Sequence, residues 1–168
     1  MATGSIAGPV IGTLVTEDAA TFRDALPDGG VLLGLDLGTK TIGTALCDAG
    51  WSFATAGKTI SKGKFARDKA ALEALCKERK VSGFVIGLPL NMDGTSGARA
   101  QASRSFARNL TALELPVLLW DERWSTTSAE RDLIAQDFSR AKRAERIDSH
   151  AAAVILQGAI DRLAGGIL

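Results

Sequence analysis

Residues Val31–Gly43 read VLLGLDLGTKTIG, and how this stretch is read decides the fold. An apolar run leads into one acid, Asp36, and then into Gly38, Thr39, Lys40, Thr41 and Gly43. Side chains of a β-strand alternate between its two faces. Leu33, Leu35 and Leu37 therefore share one face, and Gly34, Asp36 and Gly38 share the other. A bare carboxylate inside a buried apolar strand is costly unless something pairs with it. The two glycines beside it leave room for a partner, such as a metal ion or a phosphate backbone. The plainer alternatives are a surface acid on an edge strand and a buried Asp paired to an Arg.

Outward from this strand the pattern is that of a mixed α/β sheet. Thr41–Cys47 reads as a second strand. The short Gly38-Thr39-Lys40 link favours antiparallel pairing with the first. A turn at Asp48-Ala49-Gly50 leads to a third strand over 51–60. Residues 64–80 have helical spacing, with Phe65, Leu72, Leu75 and Cys76 on one face. Val81–Leu88 (VSGFVIGL) is apolar and β-branched, as a buried parallel strand requires. It runs into the turn-forming loop PLNMDGTSG. A helix over 98–113, a fifth strand over 115–120 (LPVLLW) and a helix from Thr127 to about Phe138 follow. Thr127 and Glu130 have capping-box spacing. RAKRAER, residues 140–146, is a basic link with four positive charges against one negative. The last helix spans 147–163. This order predicts five strands, three antiparallel and then βαβ crossovers, with helices on both faces. Residues 1–30 read as an N-terminal extension with a short helix over 17–26, and 31–168 as one domain.

Composition narrows the function. The chain has 168 residues, enough for one full core. Net charge is +1, so affinity for nucleic acid must come from local patches. Aromatic residues are 5% with no Tyr, so stacking platforms are scarce. Cys47 and Cys76 form no CxxC pair, and with one His they build no zinc site. No stretch is long and apolar enough to span a membrane, and the N-terminus lacks a signal pattern. A cytoplasmic protein is expected.

Acids stand at three privileged points: Asp36 in the first strand, Asp121 and Glu122 at the end of the fifth, and Asp148 on the first turn of the last helix. Ligands of open α/β sheets gather beyond the carboxyl ends of parallel strands. Carboxylates converging there bind Mg²⁺ or Mn²⁺ through oxygen, and such ions serve phosphodiester hydrolysis. Each acid also has a plain reading. Asp148 suits a helix N-cap, and Asp121 and Glu122 suit surface pairing with Arg123. His150 has no second base to make a triad.

Four motifs, in order, carry a resemblance to a known family: GLDLGTKTIG at 34–43, GLPLNMDGT at 87–95, DERWSTTSAE at 121–130, and IDSHAAAVILQ at 147–157. From about Val31 to Leu163 the chain resembles the YqgF/RuvX family of bacterial RNase H-like proteins. Its members are described as Holliday-junction resolvases or pre-16S rRNA nucleases. The resemblance implies an RNase H-like fold, metal-dependent phosphodiester hydrolysis, and maturation of the 5′ end of small-subunit ribosomal RNA. It selects Asp36, Glu122 and Asp148 as the catalytic, metal-binding acids. Trp124 stands where the family commonly has Leu and is expected to fill a similar apolar or stacking position. In such a sheet the fifth strand lies two spacings from the first, roughly 9.6 Å. Glu122 must then reach inward, and Asp93 is the substitute if it does not.

For the substrate, Lys40 is expected to contact a phosphate as a point charge, and Arg123 to do so bidentately. Asn91 could hold a phosphate or a metal-bound water. Thr126 and Thr127 are placed to donate from a helix N-terminus. Arg143, with Arg140, Lys142 and Arg146, would track the backbone. The expected partners are pre-rRNA, branched DNA as the alternative, and a ribosomal precursor particle, with the protein a monomer or homodimer. Two other classes compete. One is a pre-ribosome factor that binds without cutting. The other is an actin-like ATPase or sugar kinase, which shares the DLGTKT turn but needs two such domains.

Overall fold

The computed structural model describes residues 14–27, 29–124 and 140–165, with only the backbone described for Trp124 and residues 140–148. In chain order the elements are β1 (Val15–Thr16), α1 (Ala19–Asp24), β2 (Val31–Leu37), β3 (Thr41–Cys47), β4 (Ala54–Ser61), α2 (Phe65–Arg79), β5 (Val81–Leu88), α3 (Ala98–Leu110), β6 (Val117–Asp121) and α4 (Arg140–Gly165). The helix expected from Thr127 lies outside the described residues.

The sheet has six strands in the order β1-β6-β5-β2-β3-β4. β2, β3 and β4 form the antiparallel meander. β5 adds parallel to β2, and β6 parallel to β5. The sixth strand corrects the expected five. β1 pairs parallel with β6 through Val15 and Thr16, and two residues are too few to show a period-two pattern.

Leu33, Leu35 and Leu37 enter a core beneath α2 and α3, with Leu72, Phe84, Ile86, Phe106 and Leu110. Phe65 and Phe106 join the two helices edge to face at 5.4 Å. The other face packs Leu32, Val85 and Leu118 against α1 and α4. Phe22 of α1 is fully buried there, and a Cβ on Gly83 would lie 3.0 Å from its ring. The predicted N-terminal helix therefore completes this second core.

The bounds of β4, α3, β6 and α4 differ from those expected. β4 starts at Ala54 rather than residue 51, because the Asp48 carboxylate collects the N–H groups of Gly50, Ser52 and Phe53 at 3.1, 2.9 and 2.7 Å. That cap holds its carboxyl below the ordinary aspartate range, the Phe53 bond first. α3 ends at Leu110, and a 3₁₀ turn over Thr111–Leu113 closes at Glu114, with φ of 60°. β6 begins at Val117 and runs on to Asp121. The basic link is helical: residues 140–146 form the first turns of α4. Ala, Arg, Lys and Glu are strong helix formers, and nothing in the stretch breaks a helix. Asp148 thus lies well inside α4, and the N-cap reading falls.

Candidate active site

Asp36 is 2% exposed, on the face of β2 that looks toward α4. Both flanking strands present glycine to it. Gly43 of β3 is its cross-strand partner. Gly87 of β5 lies one residue beyond the Leu35–Ile86 pair. The expectation that Gly34 and Gly38 leave room for a ligand is corrected here. A Cβ on Gly34 would lie 2.8 Å from the Leu156 Cβ and 3.1 Å from the Ala152 carbonyl, so α4 occupies that space. One on Gly38 would meet the Thr41 carbonyl at 3.0 Å.

Glu122 reaches inward as far as β5. Glu122 opens a 3₁₀ turn directly after β6. Its carboxylate bends back across the end of β5, with Oε2 3.0 Å from where a Cβ on Gly87 would stand. The Ile155 Cδ1 lies 2.6 Å from the same point. Gly87 is therefore the notch through which the outer strand's acid approaches the strand carrying Asp36. A glycine near the end of a strand is a sign of such close approach.

The third acid is placed by its backbone alone. Asp36, Gly43 and Thr59 form one row across β2, β3 and β4. Thr59 Oγ1 meets the Ser149 Oγ of α4 at 2.6 Å. Asp148 immediately precedes Ser149, so α4 carries its backbone to the row that holds Asp36. Gln157 anchors the helix further along, accepting from the Ala54 N–H at 2.8 Å and donating to the Ser52 carbonyl at 3.1 Å.

Neighbouring polar residues have structural partners. The Arg123 guanidinium grips Asp121 through Nε, at 3.1 Å to each oxygen, and through Nη2 at 2.7 Å. Its Nη1 donates to the Met92 carbonyl at 3.2 Å. The fork expected to face a phosphate is thus engaged within the chain, where it ties the end of β6 to the loop after β5. Burial opposes the Asp121 charge, but these bonds outweigh it and hold the carboxyl below its ordinary range. In the loop, the Asn91 side-chain amide donates to Thr95 Oγ1 at 2.9 Å, and the Gly94 N–H to the Asn91 carbonyl at 2.8 Å. Asp93 is turned to Thr95, accepting from its hydroxyl at 2.7 Å and its N–H at 3.0 Å, which lowers its pKa. Glu122, not Asp93, lies over Gly87 of β5. Lys40 is exposed at the β2–β3 turn. Thr126 and Thr127 lie outside the described residues, as do the side chains of Arg143 and Asp148.

Sequence reasoning missed Lys62 and Arg99. Their side chains donate to the Gly38 and Leu37 carbonyls, directly after Asp36. No local pattern marks them, because their positions follow from where β4 and α3 end in space. Among the described residues no group of three or more His, Cys, Asp and Glu forms a metal cluster. The donors are nonetheless of one kind. Asp36 at the end of β2 and Glu122 over Gly87 of the neighbouring strand both carry carboxylate oxygen, chemistry that suits a hard divalent cation.

The mixed sheet, with a buried acid on β2 and a second acid at the end of β6 lying over the strand between them, has the RNase H-like architecture. The RuvC protein of T. thermophilus, solved with a Holliday junction substrate, superposes with a TM-score of 0.51 at 12% identity, covering 81% of this chain and 97% of that one. The fold is RuvC-like. Residues 30–162 match the family model described as "RuvX: Holliday junction resolvase", and the chain belongs to that family. A relative from Novosphingobium aromaticivorans is 66% identical over 152 residues, which are 90% of this chain and 98% of the relative. One from Sphingopyxis alaskensis is 63% identical over 150 residues, 89% and 99% of the two chains. Both carry the name "Putative pre-16S rRNA nuclease".

Proposed function

We propose that this protein is a nuclease that hydrolyses phosphodiester bonds at the 5′ end of pre-16S rRNA during ribosome biogenesis. The observation that carries the chemistry is the Glu122 carboxylate lying over Gly87, on the strand next to Asp36. This supports the reading that two acids distant in sequence serve one site at the carboxyl ends of neighbouring parallel strands. The substrate assignment rests on the names of the close relatives.

Asp36, Glu122 and Asp148 are the residues that would hold Mg²⁺ or Mn²⁺. The metal, when bound, activates water and stabilises the departing oxygen. Asp36, rigid in the sheet and almost wholly buried, sets the position of the site. Glu122 closes it from β6, and Asp148 from α4. Lys40, exposed at the turn, draws a phosphate toward the strand end. Asn91 and Arg123 shape the rim through the loop they hold, and Thr126 and Thr127 donate to phosphate oxygens. Arg143 and its basic neighbours in α4 follow the backbone. No helix among the described residues is long and apolar enough to cross a membrane. The proposed setting is the cytoplasm, on a ribosomal precursor particle, as monomer or homodimer.

A second reading, cleavage of branched DNA, is favoured by the family description and by the RuvC superposition. Junction resolution needs two sites acting as a symmetric pair. One assay separates the two. A pre-16S rRNA fragment and a four-way DNA junction are each incubated with Mg²⁺, Mn²⁺ or EDTA. Metal-dependent cutting of the RNA, lost in Asp36→Asn, is the expected result. Cutting of the junction alone transfers the assignment to DNA. Binding without cutting leaves a non-cleaving pre-ribosome factor.

A further inference from the structure

Two cations converge on the backbone just past Asp36. Lys62 follows β4, and its Nζ donates to the Gly38 carbonyl at 3.2 Å. Arg99 stands in the first turn of α3, and its Nη2 donates to the Leu37 carbonyl at 3.1 Å. Leu37 and Gly38 are the two residues after Asp36. The Lys62 N–H also donates to the Lys40 carbonyl at 2.8 Å, so Lys62 is seated on the turn by its backbone as well.

These two differ from Arg104 and Arg123, which carboxylates hold. Arg104 is neutralised by Glu17 at 2.6 Å, and Arg123 by Asp121 at 2.7 Å. Among the described residues, neither Lys62 nor Arg99 has a carboxylate within ion-pair distance. Each rests on a neutral carbonyl, a weaker acceptor than an anion. A guanidinium has five N–H donors and an ammonium three, so one bond to a carbonyl leaves donors on each for an arriving anion. A site lined by acids repels phosphate, and cations close by must offset that repulsion.

We infer that Lys62 and Arg99 form a phosphate clamp at the end of β2, holding the nucleic-acid phosphates that adjoin the bond presented to Asp36. The carbonyl bonds hold the clamp in position, and the uncommitted donors grip the strand. This rests on the nuclease reading above and adds two substrate-binding residues to it.

The test is binding of a single-stranded RNA fragment in EDTA, followed by fluorescence anisotropy over a salt series. Lys62→Gln and Arg99→Gln are each expected to weaken binding about tenfold at low salt. Each should also flatten the slope of log affinity against log salt by about 0.7, and the double variant by about 1.4. Lys62→Arg and Arg99→Lys keep the charge and should keep the wild-type slope, which serves also if a Gln variant fails to fold. Unchanged slopes in the Gln variants, with lowered melting temperatures, would make both residues staples of the turn and overturn the clamp. So would a flattened slope in the charge-retaining pair. Wild-type protein that binds RNA but never cuts it with metal present overturns the nuclease reading instead, and the two failures are distinct.

Discussion

The two faces of β2 are built to opposite ends. One carries Leu33, Leu35 and Leu37 into a core closed by α2 and α3. The other carries Gly34 and Asp36 beneath α4. The leucine face gains from every atom it buries. On the other face, small residues admit a helix at Gly34 and a second acid at Gly87, while a carboxylate is kept at 2% exposure. A buried carboxylate adds little to stability and costs desolvation. Leu32 still feeds a core at the start of that face, so the chemistry is confined to its far end, at Asp36.

The largest expected effects test that separation directly. Asp36→Asn should lower cleavage by at least about a hundredfold, since a lost metal-ligand oxygen removes several kcal/mol of charge stabilisation. Its melting temperature should not fall as that of a core variant does. Leu35→Ala, at a fully buried position, should lose about 2–5 kcal/mol of stability. Its folded fraction should cut at near the wild-type rate. Urea unfolding and cleavage measured on the same preparations check both. A large stability loss in Asp36→Asn would break the comparison.

The two glycines of the α4 face sharpen it. In Gly34→Ala the new methyl meets the Leu156 Cβ at 2.8 Å and the Ala152 carbonyl at 3.1 Å, and neither is the free end of a side chain. Helix α4 must shift, at about 1–3 kcal/mol of stability. In Gly87→Ala the methyl meets the Ile155 Cδ1 and the Glu122 Oε2, both mobile tips. Stability should change by less than about 1 kcal/mol. Displacing Glu122 should cost about tenfold or more in cleavage rate, as misplaced catalytic groups do. Equal behaviour of the two variants in both assays would mean that Glu122 does not act through the notch.

What could be read in the sequence was set by local period. The leucines and acid of β2 follow a repeat of two, and β5 runs from Val81 to Leu88 as expected. The meander and the parallel crossovers came from link lengths. The rest depended on distance in space. Lys62 and Arg99 gain meaning only once β4 and α3 end beside β2. Gly34 was read as room for a ligand, yet a helix more than a hundred residues later fills it. RAKRAER was read as a link because charge obscured a helix-forming composition. Arg123 carried two readings, a phosphate contact and a surface pair with its acidic neighbours, and only the folded chain shows its fork turned back on Asp121.

The smallest effect separates two adjacent acids at the end of β6. Asp121 is gripped by Arg123 and faces the loop after β5, whereas Glu122 faces Gly87. The folded pKa of Asp121 lies below its ordinary value, so its contribution is present above the unfolded pKa of about 3.9 and fades as pH falls through the folded value. Asp121→Asn should therefore cost about 0.5–1 kcal/mol near neutrality, the range of a partly exposed ion pair. The wild-type and variant stability curves should converge below about pH 4. Urea titrations across that range read the convergence. Cleavage by Asp121→Asn should stay within a few-fold of wild type, because its carboxylate is bound to Arg123 rather than aimed at β2. Glu122→Gln should show the reverse, with stability near wild type at neutral pH and cleavage largely lost. Were the losses exchanged, the acid serving the site would be the one Arg123 holds, and the notch at Gly87 would be packing alone.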